Sequence, residues 1–146
     1  MSEENVEIVR RITEAAAREL ERGDPGGAAA FDSETVADDF EWILPDGVQS
    51  HRGPDGIRKF MRTWTEDFED WSFEIERLIA APDDRVVVLS RQWGTGKGSG
   101  VPVEWHLGQV WELEDGRVTR IRNFLEPAEA LEAAGLSEVE TKRNPY

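Results

Sequence analysis

The chain has 146 residues and a formal net charge of −14 at pH 7, with 31 acidic against 17 basic side chains. This acidity repels nucleic-acid phosphates and anionic lipid, so both are excluded as partners. No cysteine is present, which excludes disulfides, Cys-ligated zinc and a thiol nucleophile. The longest apolar runs are about four residues, too short for a signal peptide or a membrane span. We therefore expect one soluble, cytoplasmic domain.

Two helices are predicted at the N-terminal end of the chain. Over residues 3–22, apolar side chains recur every three or four positions, as in an amphipathic helix. These side chains are Val6, Val9, Ile12, Ala16 and Leu20. The glycine- and proline-rich run 23–27 ends this helix, and residues 28–38 predict a second, weaker one.

A short strand and a third helix follow. Phe40, Trp42 and Leu44 alternate with their neighbours, which predicts a strand before the turn residues 45–47. The Gly-Pro pair at 53–54 then favours the start of a helix. One face of that helix is predicted to carry Ile57, Phe60, Met61, Trp64 and Phe68.

The C-terminal half predicts a sheet. Four strand-like segments joined by short turns lie at 71–80, 85–94, 101–113 and 117–125. Pro127 opens a last helix that Gly135 stops. This order predicts an α+β fold in which helices cover one face of an antiparallel sheet. We assign residues 1–136 to this single domain and 137–146 to a polar C-terminal tail.

The strand predicted at 101–113 has one apolar and one polar face. The apolar face carries Trp105, Leu107, Gln109, Trp111 and Leu113, and the polar face carries Glu104, His106, Gly108, Val110 and Glu112. A two-residue turn at 115–116 would set Arg120 and Arg122 on the apolar face, where an unpaired cation costs several kcal/mol. We therefore adopt a three-residue turn with Gly116 as the bulge residue. That turn sets Thr119, Ile121, Asn123 and Leu125 on the apolar face.

Two amides are thus expected on an otherwise apolar surface. Gln109 and Asn123 lie beside tryptophans there, and buried amides need hydrogen-bond partners. Two interpretations stay open: the amides bind one another or a backbone group, or they face a ligand. Trp42 and Trp64 are placed to close the same space, although an aromatic residue at helical spacing is more often a core residue.

Neither the glycine-rich run nor the two histidines predict a bound phosphate or metal. The run 94–100 is not a phosphate loop, because Gly98 rather than Ser or Thr follows Lys97 and a strand comes next. The histidines lack helical partners at metal-ligand spacing. His106 is expected on the exposed face of its strand. His51 lies in the loop before the third helix, where it is a candidate for proton transfer over a cavity.

Five short motifs occur in order along the chain, at 6–11 (VEIVRR), 37–42 (ADDFEW), 51–60 (HRGPDGIRKF), 110–118 (VWELEDGRV) and 129–136 (EALEAAGL). Together they resemble the SnoaL-like, ketosteroid-isomerase-like group of the nuclear transport factor 2 superfamily, over about residues 4–136. The resemblance implies a cone-shaped α+β barrel, in which N-terminal helices close a strongly bent sheet over an apolar pocket. It also implies a homodimer formed through the outer surface of the sheet.

The resemblance implies no single reaction, because the family includes isomerases, polyketide cyclases, dehydratases, epoxide hydrolases and non-catalytic binders. Ketosteroid isomerases use a carboxylate base with a tyrosine and a protonated aspartate as oxyanion donors. The base position falls here at Leu44 or Trp42, the tyrosine position at Ala16 and the aspartate position at Gln109. Two of the three roles are therefore lost. SnoaL-type cyclases use a carboxylate and a histidine, and His51 is the counterpart of that histidine.

We expect a protein without cofactor or metal that binds a small neutral or aromatic ligand. The candidate catalytic residues are His51, Gln109 and Asn123. The predicted pocket wall comprises Trp42, Leu44, Trp64, Trp105, Trp111, Ile121 and Leu125. One hypothesis is cyclisation, isomerisation, dehydration or hydrolysis of a neutral apolar carbonyl compound. The alternative is a ligand-binding or dimerisation module of the same fold without turnover.

Overall fold

The first helix confirms the amphipathic pattern of the N-terminal segment. In the computed structural model, α1 covers Ser2–Glu21 and buries Val6, Val9 and Ile12 in the core. The structure describes residues 2–136, with side chains from residue 3 onward, and the polar tail predicted at 137–146 lies outside them. Within that range, no helix combines the length and apolarity needed to cross a membrane.

The second predicted helix, at 28–38, is wrong. The chain forms a short 3₁₀-helix over Pro25–Ala30 and then β1 over Val36–Ile43. Between them, the Asp32 carboxylate accepts hydrogen bonds from two backbone N–H groups that follow it, at 2.9 and 3.1 Å. These bonds make a turn where a helix would otherwise continue. The alanine-rich segment therefore leads into a strand.

The rest of the described chain builds a sheet with two further helices. The elements are β2 (Ser50–Arg52), α2 (Gly53–Thr65), β3 (Phe68–Ala81), β4 (Arg85–Gly96), β5 (Pro102–Glu114), β6 (Arg117–Phe124) and α3 (Pro127–Ala133). The α+β class is thus confirmed. The short strand β2 was not predicted, and Phe68, expected on the third helix, opens β3 instead.

The sheet is mixed, whereas the sequence predicted an antiparallel one. The strand order is β2-β1-β6-β5-β4-β3, and β1 runs parallel to β6. The edge strands β2 and β3 are not hydrogen-bonded to each other, so the sheet is not closed. Register shifts between β1 and β6 and between β3 and β4 bend the sheet around the helices.

The β5–β6 hairpin has a two-residue turn, not the predicted three-residue turn. Glu114 pairs with Arg117 across Asp115 and Gly116. The φ angles of the two turn residues are 52° and 80°, as in the Asp-Gly turns whose twist fits a hairpin. By itself, this turn would bring Arg120 to the inner face of the sheet.

A bulge in β6 reverses the side-chain orientation that the two-residue turn would otherwise impose on the rest of the strand. The register shifts by one because Thr119 is an extra residue in β6. Trp111 then lies opposite Ile121, and Gln109 lies opposite Asn123. The inward facing predicted for Ile121 and Asn123 is correct, but Thr119 lines a charged depression on the outer surface instead of the apolar face.

Helices cover both faces of the sheet, not one as predicted. Val86 and Val88 of β4 belong to the inner core with α1 and α2, whereas Val87 between them packs with α3. The face of β5 predicted to be polar is buried at Gly108. A Cβ added there would lie 2.6 Å from the Cβ of Ala130. Glycine therefore allows α3 to approach the strand closely.

Candidate ligand cavity

Two adjoining chambers lie between the inner face of the sheet and the helices α1 and α2. The outer chamber has a volume of about 280 Å³ and the inner chamber about 60 Å³. Both walls include Trp42, Met61, Trp71 and Gln92, which we call the junction. A ligand that spans both chambers would contact the junction.

Aromatic rings from α2, β1 and β5 line the outer chamber. Phe60 and Trp64, one turn apart on α2, stack with ring centroids 6.2 Å apart. Trp64 meets Trp105 edge-on at 6.0 Å, and Trp42 packs against Phe60 at 5.9 Å. The other outer-chamber residues besides the junction are Leu44, Pro45, Leu107, Asn123 and Leu125. These mutual ring contacts give the chamber a large, ordered aromatic surface.

Six of the seven predicted wall residues line a chamber. The outer chamber includes Trp42, Leu44, Trp64, Trp105 and Leu125, and the inner one includes Trp42 and Trp111. Leu125 is 65% exposed and therefore stands at the rim. Ile121 lines neither chamber, because it is fully buried in the core opposite Trp111.

The structure does not bring His51 to the two candidate amides. His51 lies in β2 rather than in a loop, opposite Trp42 of β1. Its ring centroid is 4.9 Å from that of Phe60. Phe60 lines the outer chamber, whereas His51 is not among the residues that line either chamber. The histidine is thus separated from the cavity by one aromatic ring.

Gln109 and Asn123 bind each other and the protein around them. Gln109 Nε2 donates to Asn123 Oδ1 at 2.8 Å, and Asn123 Nδ2 donates to the carbonyl oxygen of Ile43 at 2.9 Å. Trp111 Nε1 donates to Gln109 Oε1 at 2.9 Å. We call Gln109, Asn123 and Trp111 the amide network. The structure therefore shows the mutual pairing, and because both amides also line a chamber, the ligand-facing interpretation stays a prediction.

Polar groups in and beside the junction lack partners in the described part of the chain. The indole nitrogens of Trp42 and Trp71 are buried without a hydrogen-bond partner. The side chains of Gln92 and of Ser90, in the inner chamber, form no hydrogen bond within residues 2–136. A buried donor without an acceptor costs about 1–3 kcal/mol, so such donors beside a cavity call for an explanation.

The sequence did not identify Trp71 or Gln92 as site residues, and it left open whether Ser90 or Arg91 faces the cavity. Ser90 and Gln92 share the inward face of β4 with the buried valines before them, and Gln92 pairs with Trp105 across β4 and β5. Residues 86–89 form a continuous apolar run instead of an alternating one, so nothing local in β4 shows which face is inward. That direction depends on the register between β4 and β5.

The cavity contains no charge. Every side chain in the walls of the two chambers, all within residues 2–136, is aliphatic, aromatic, thioether, amide or hydroxyl-bearing. Charged groups pair on the outer face instead, where Arg91 donates to Glu74 and Glu104 and these hydrogen bonds raise its pKa. Among the described residues, no three His, Asp or Glu side chains converge as metal ligands would.

Sequence comparison relates the chain to one family and to two curated proteins. The family model of the SnoaL-like domain matches residues 12–121. The phenazine biosynthesis proteins PhzA1 and PhzA2 of Pseudomonas aeruginosa are each 30% identical over 98 residues, which is 64% of this chain and 60% of the relative. The match thus spans less than two thirds of either relative's length.

Solved structures share the fold over nearly the whole chain. A protein of Jannaschia sp. CCS1 classed as a SnoaL-like polyketide cyclase superposes with a TM-score of 0.71 at 23% identity, covering 94% of this chain and 95% of the other. TerC, crystallised with polyporic acid, superposes with a TM-score of 0.65 at 20% identity, covering 90% and 97%. At these identities the likeness shows the fold, and it fits the predicted cone-shaped arrangement.

Proposed function

The chain belongs to the SnoaL-like family, and within that family we propose that it binds a flat, neutral, largely apolar small molecule in its two chambers. The observation that carries this proposal is the wall, which combines aromatic rings with uncharged polar groups and has no ionisable side chain. Small-molecule sites are typically apolar clefts with a few placed polar groups. The outer chamber, at about 280 Å³, has room for a small ring system.

The uncharged wall selects against ions. A charged ligand would leave water without gaining a counter-charge, and an unpaired buried ion costs several kcal/mol. The acidic protein surface adds a repulsive field for anions. A neutral aromatic ligand, in contrast, gains roughly 25 cal/mol for each Å² of apolar surface that it buries.

The names of the relatives support an organic ligand. PhzA1 and PhzA2 are phenazine biosynthesis proteins, the Jannaschia protein is classed as a polyketide cyclase, and TerC was crystallised with polyporic acid. We extend to this chain only the class of ligand, a small organic molecule that fits an aromatic wall.

A charge series tests the proposal. Naphthalene, 1-naphthoate and 1-naphthylmethylammonium share one ring system and differ in charge. Binding is measured by calorimetry and by the indole N–H signals of the six tryptophans. We expect naphthalene to bind at least about tenfold more tightly than either ion. The proposal fails if an ion binds as well as naphthalene or if none of the three binds.

A filled cavity provides the matched control. Leu44 lines the outer chamber, so Leu44→Trp should weaken naphthalene binding by about tenfold through steric overlap. Val48 is 84% exposed, and Val48→Trp adds the same ring outside the cavity. The surface variant should bind like the parent. Equal weakening in both variants would place the site elsewhere.

Catalysis is the second candidate function, and the position of His51 beside Phe60 is the observation that favours it. We propose that, if the protein is an enzyme, His51 moves a proton next to a carbonyl group of the ligand. The Phe60 ring, which lines the outer chamber, would have to move aside to give the imidazole access to the ligand. The reaction would then be a cofactor-independent rearrangement or hydrolysis of a neutral carbonyl compound.

Deuterium exchange tests the catalytic candidate. In D₂O, a base within reach of bound 1-tetralone would accelerate exchange of the protons beside its carbonyl group, which NMR follows directly. Catalysis by His51 predicts acceleration in the parent and its loss in His51→Phe. His106, exposed on the other face of the sheet, gives the control His106→Phe. Exchange at the buffer rate in the parent would leave binding as the function.

A homodimer through the outer face of the sheet is a further part of the proposal. Trp93 lies on that face, with the Arg91 guanidinium 4.2 Å from its ring centroid. Light scattering on the purified chain tests the dimer, and Trp93→Glu should dissociate it. An unchanged mass for the variant would argue against this surface. The cytoplasmic location stays a prediction of the sequence.

A further inference from the structure

The two indole N–H groups of the junction are the least explained polar groups of the cavity. Trp42 and Trp71 are 6% and 9% exposed, and their indole nitrogens have no partner within residues 2–136. Both side chains belong to the walls of both chambers. Two side chains with unpaired donors therefore form part of both chamber walls, although the nitrogens themselves are covered by protein atoms.

The amide network is less suited to binding a ligand than the two junction indoles are. Gln109 already accepts a hydrogen bond from Trp111 and donates one to Asn123, which in turn donates to Ile43. The bonds that link β5, β6 and β1 fix the orientation of both amides, and so they limit how far the remaining N–H hydrogen of each amide can turn toward a ligand. The two junction indoles form no hydrogen bond that a ligand would have to replace.

We propose that the ligand carries a carbonyl-type oxygen that accepts hydrogen bonds from the indole N–H groups of Trp42 and Trp71 at the junction, beside the amide of Gln92. This inference rests on the proposed function and names the ligand class: a neutral ring compound with an acceptor oxygen, such as an aryl ketone or a quinone. Gln109 and Asn123 are then positioning residues: they line the chambers, and their hydrogen bonds hold the wall in place instead of binding the ligand oxygen.

An acceptor suits this position better than a donor. An indole nitrogen is a donor only, so a hydroxyl or amine hydrogen aimed at Trp42 and Trp71 would meet two N–H groups of the same sign. Gln92 adapts to either role, because its amide carries both a donor and an acceptor. The junction thus distinguishes a ketone from its hydrocarbon analogue.

Binding requires a small adjustment of the indoles. Each nitrogen is covered by neighbouring protein atoms, so the ring must turn its N–H edge into the junction to reach a ligand oxygen. Met61, the fourth junction residue, can make room for that rotation because its side chain is unbranched and flexible.

The test compares 1-tetralone with tetralin, which has the same ring system without the oxygen. Indole N–H groups appear as separate NMR signals, and the signals of Trp42 and Trp71 are identified by their loss in Trp42→Phe and Trp71→Phe. We expect 1-tetralone to move both signals downfield, because each indole N–H donates a hydrogen bond to the ketone oxygen, and tetralin, which has no acceptor, to cause no such downfield shift. We also expect 1-tetralone to bind roughly threefold to tenfold more tightly.

The phenylalanine variants also measure the preference for the ketone. Each keeps an aromatic ring and removes one N–H donor, so the preference for 1-tetralone over tetralin should fall by roughly threefold. Trp64 lines the outer chamber but lies outside the junction, and Trp64→Phe is the matched control that should keep the preference. The preference is the ratio of the affinities of one variant for 1-tetralone and for tetralin. A substitution that weakens the binding of both probes equally therefore leaves it unchanged.

The outcomes separate this inference from the proposed function. If both probes bind with equal affinity and neither indole signal moves downfield, the junction inference is wrong while ligand binding in the cavity stands. If neither probe binds, the proposed function fails together with the inference. A loss of preference in Trp64→Phe equal to that in the junction variants would also contradict the assignment to Trp42 and Trp71.

Discussion

Two glutamines on neighbouring strands face the same cavity, but only one of them forms side-chain hydrogen bonds within residues 2–136. Gln109 of the amide network donates to Asn123 and accepts from Trp111. Gln92 of the junction forms no side-chain hydrogen bond within residues 2–136. Both are uncharged, and both line a chamber. Pairing, not residue type, therefore separates an amide that holds the wall from one that is open to a ligand.

The difference follows from strand order. β1 lies beside β6, which brings the carbonyl group of Ile43 within reach of Asn123, and β5 brings Gln109 to the same point. Gln92 instead has aromatic cross-strand neighbours on both sides, one of them Trp105. The other neighbour, Phe73, carries no polar group, and no side-chain hydrogen bond joins Trp105 to Gln92 within residues 2–136. The junction amide is thus left open by its position.

The largest effect is expected from a charge placed in the amide network. In Asn123→Asp, the new carboxyl group lies against the carbonyl oxygen of Ile43, and burial beside that oxygen raises its pKa above the usual value of about 3.9. At pH 8 the variant should lose on the order of 4 kcal/mol of unfolding free energy. Denaturant unfolding of the parent and the variant measures the loss.

The pH dependence of Asn123→Asp has a definite sign. Because the folded-state pKa is raised, the penalty is smallest near the unfolded-state value and grows as the pH rises toward the folded-state value. Between pH 5 and pH 7, it should grow by about 1.4 kcal/mol per unit. A loss of unfolding free energy that decreases as the pH rises would mean that the amide network stabilises the negative charge, which would contradict the prediction.

Replacing each of the two glutamines with leucine tests directly whether Gln109 stabilises the fold and Gln92 does not. Gln109→Leu leaves the Trp111 N–H and the Asn123 carbonyl oxygen without partners, which should lower the unfolding free energy by about 2–4 kcal/mol. Gln92→Leu removes no side-chain hydrogen bond and should change it by less than about 0.5 kcal/mol. Guanidinium unfolding of both variants checks the contrast. Similar losses would show that the two amides are equally structural.

A smaller effect is expected on ligand preference in the Gln92→Leu variant. The amide lies beside the proposed ligand oxygen, so its removal should reduce the preference for 1-tetralone over tetralin by about twofold to threefold. Ser90→Ala, lower in the inner chamber, serves as the comparison and should have less effect. Calorimetric titration with both probes measures these ratios. An unchanged preference in Gln92→Leu would remove this residue from the ligand contact.

The smallest effect concerns pH. No ionisable side chain lines the chambers, so the affinity for 1-tetralone should stay constant within about twofold between pH 6 and pH 9. Titrations at several pH values check this. A pH-dependent step in affinity that disappears in His51→Phe would instead place His51 in contact with the ligand.

Much of the fold could be predicted because the signals are local. The helical stripe of α1 and the alternation in β5 each appear within twenty residues or fewer of sequence. The errors in the predicted fold arise where one specific interaction outweighs the structural preference of the local sequence. Asp32 turns an alanine-rich segment away from a helix, and the extra residue Thr119 lets a tight turn and an inward-facing Asn123 occur together.

The candidate site was predictable only in part. Trp42, Trp105 and Gln109 were found because their own strands carry a clear alternation. Trp71 and Gln92 were not found, since their facing depends on how β3 and β4 pair with distant partners. Unpaired indole nitrogens, moreover, are a property of the assembled wall and leave no trace in a pattern of residue types.

The sequence by itself determined that this chain has an acidic exterior and an interior rich in tryptophan with a few uncharged polar groups. Alternation and helical periodicity record which residues avoid water, and they need no knowledge of partners. Only the tertiary structure decided which polar groups find each other. Hydrogen bonds depend on distances of about 3 Å, and strand order and a single bulge bring Gln109 to Asn123 while leaving Trp42 and Trp71 unpaired.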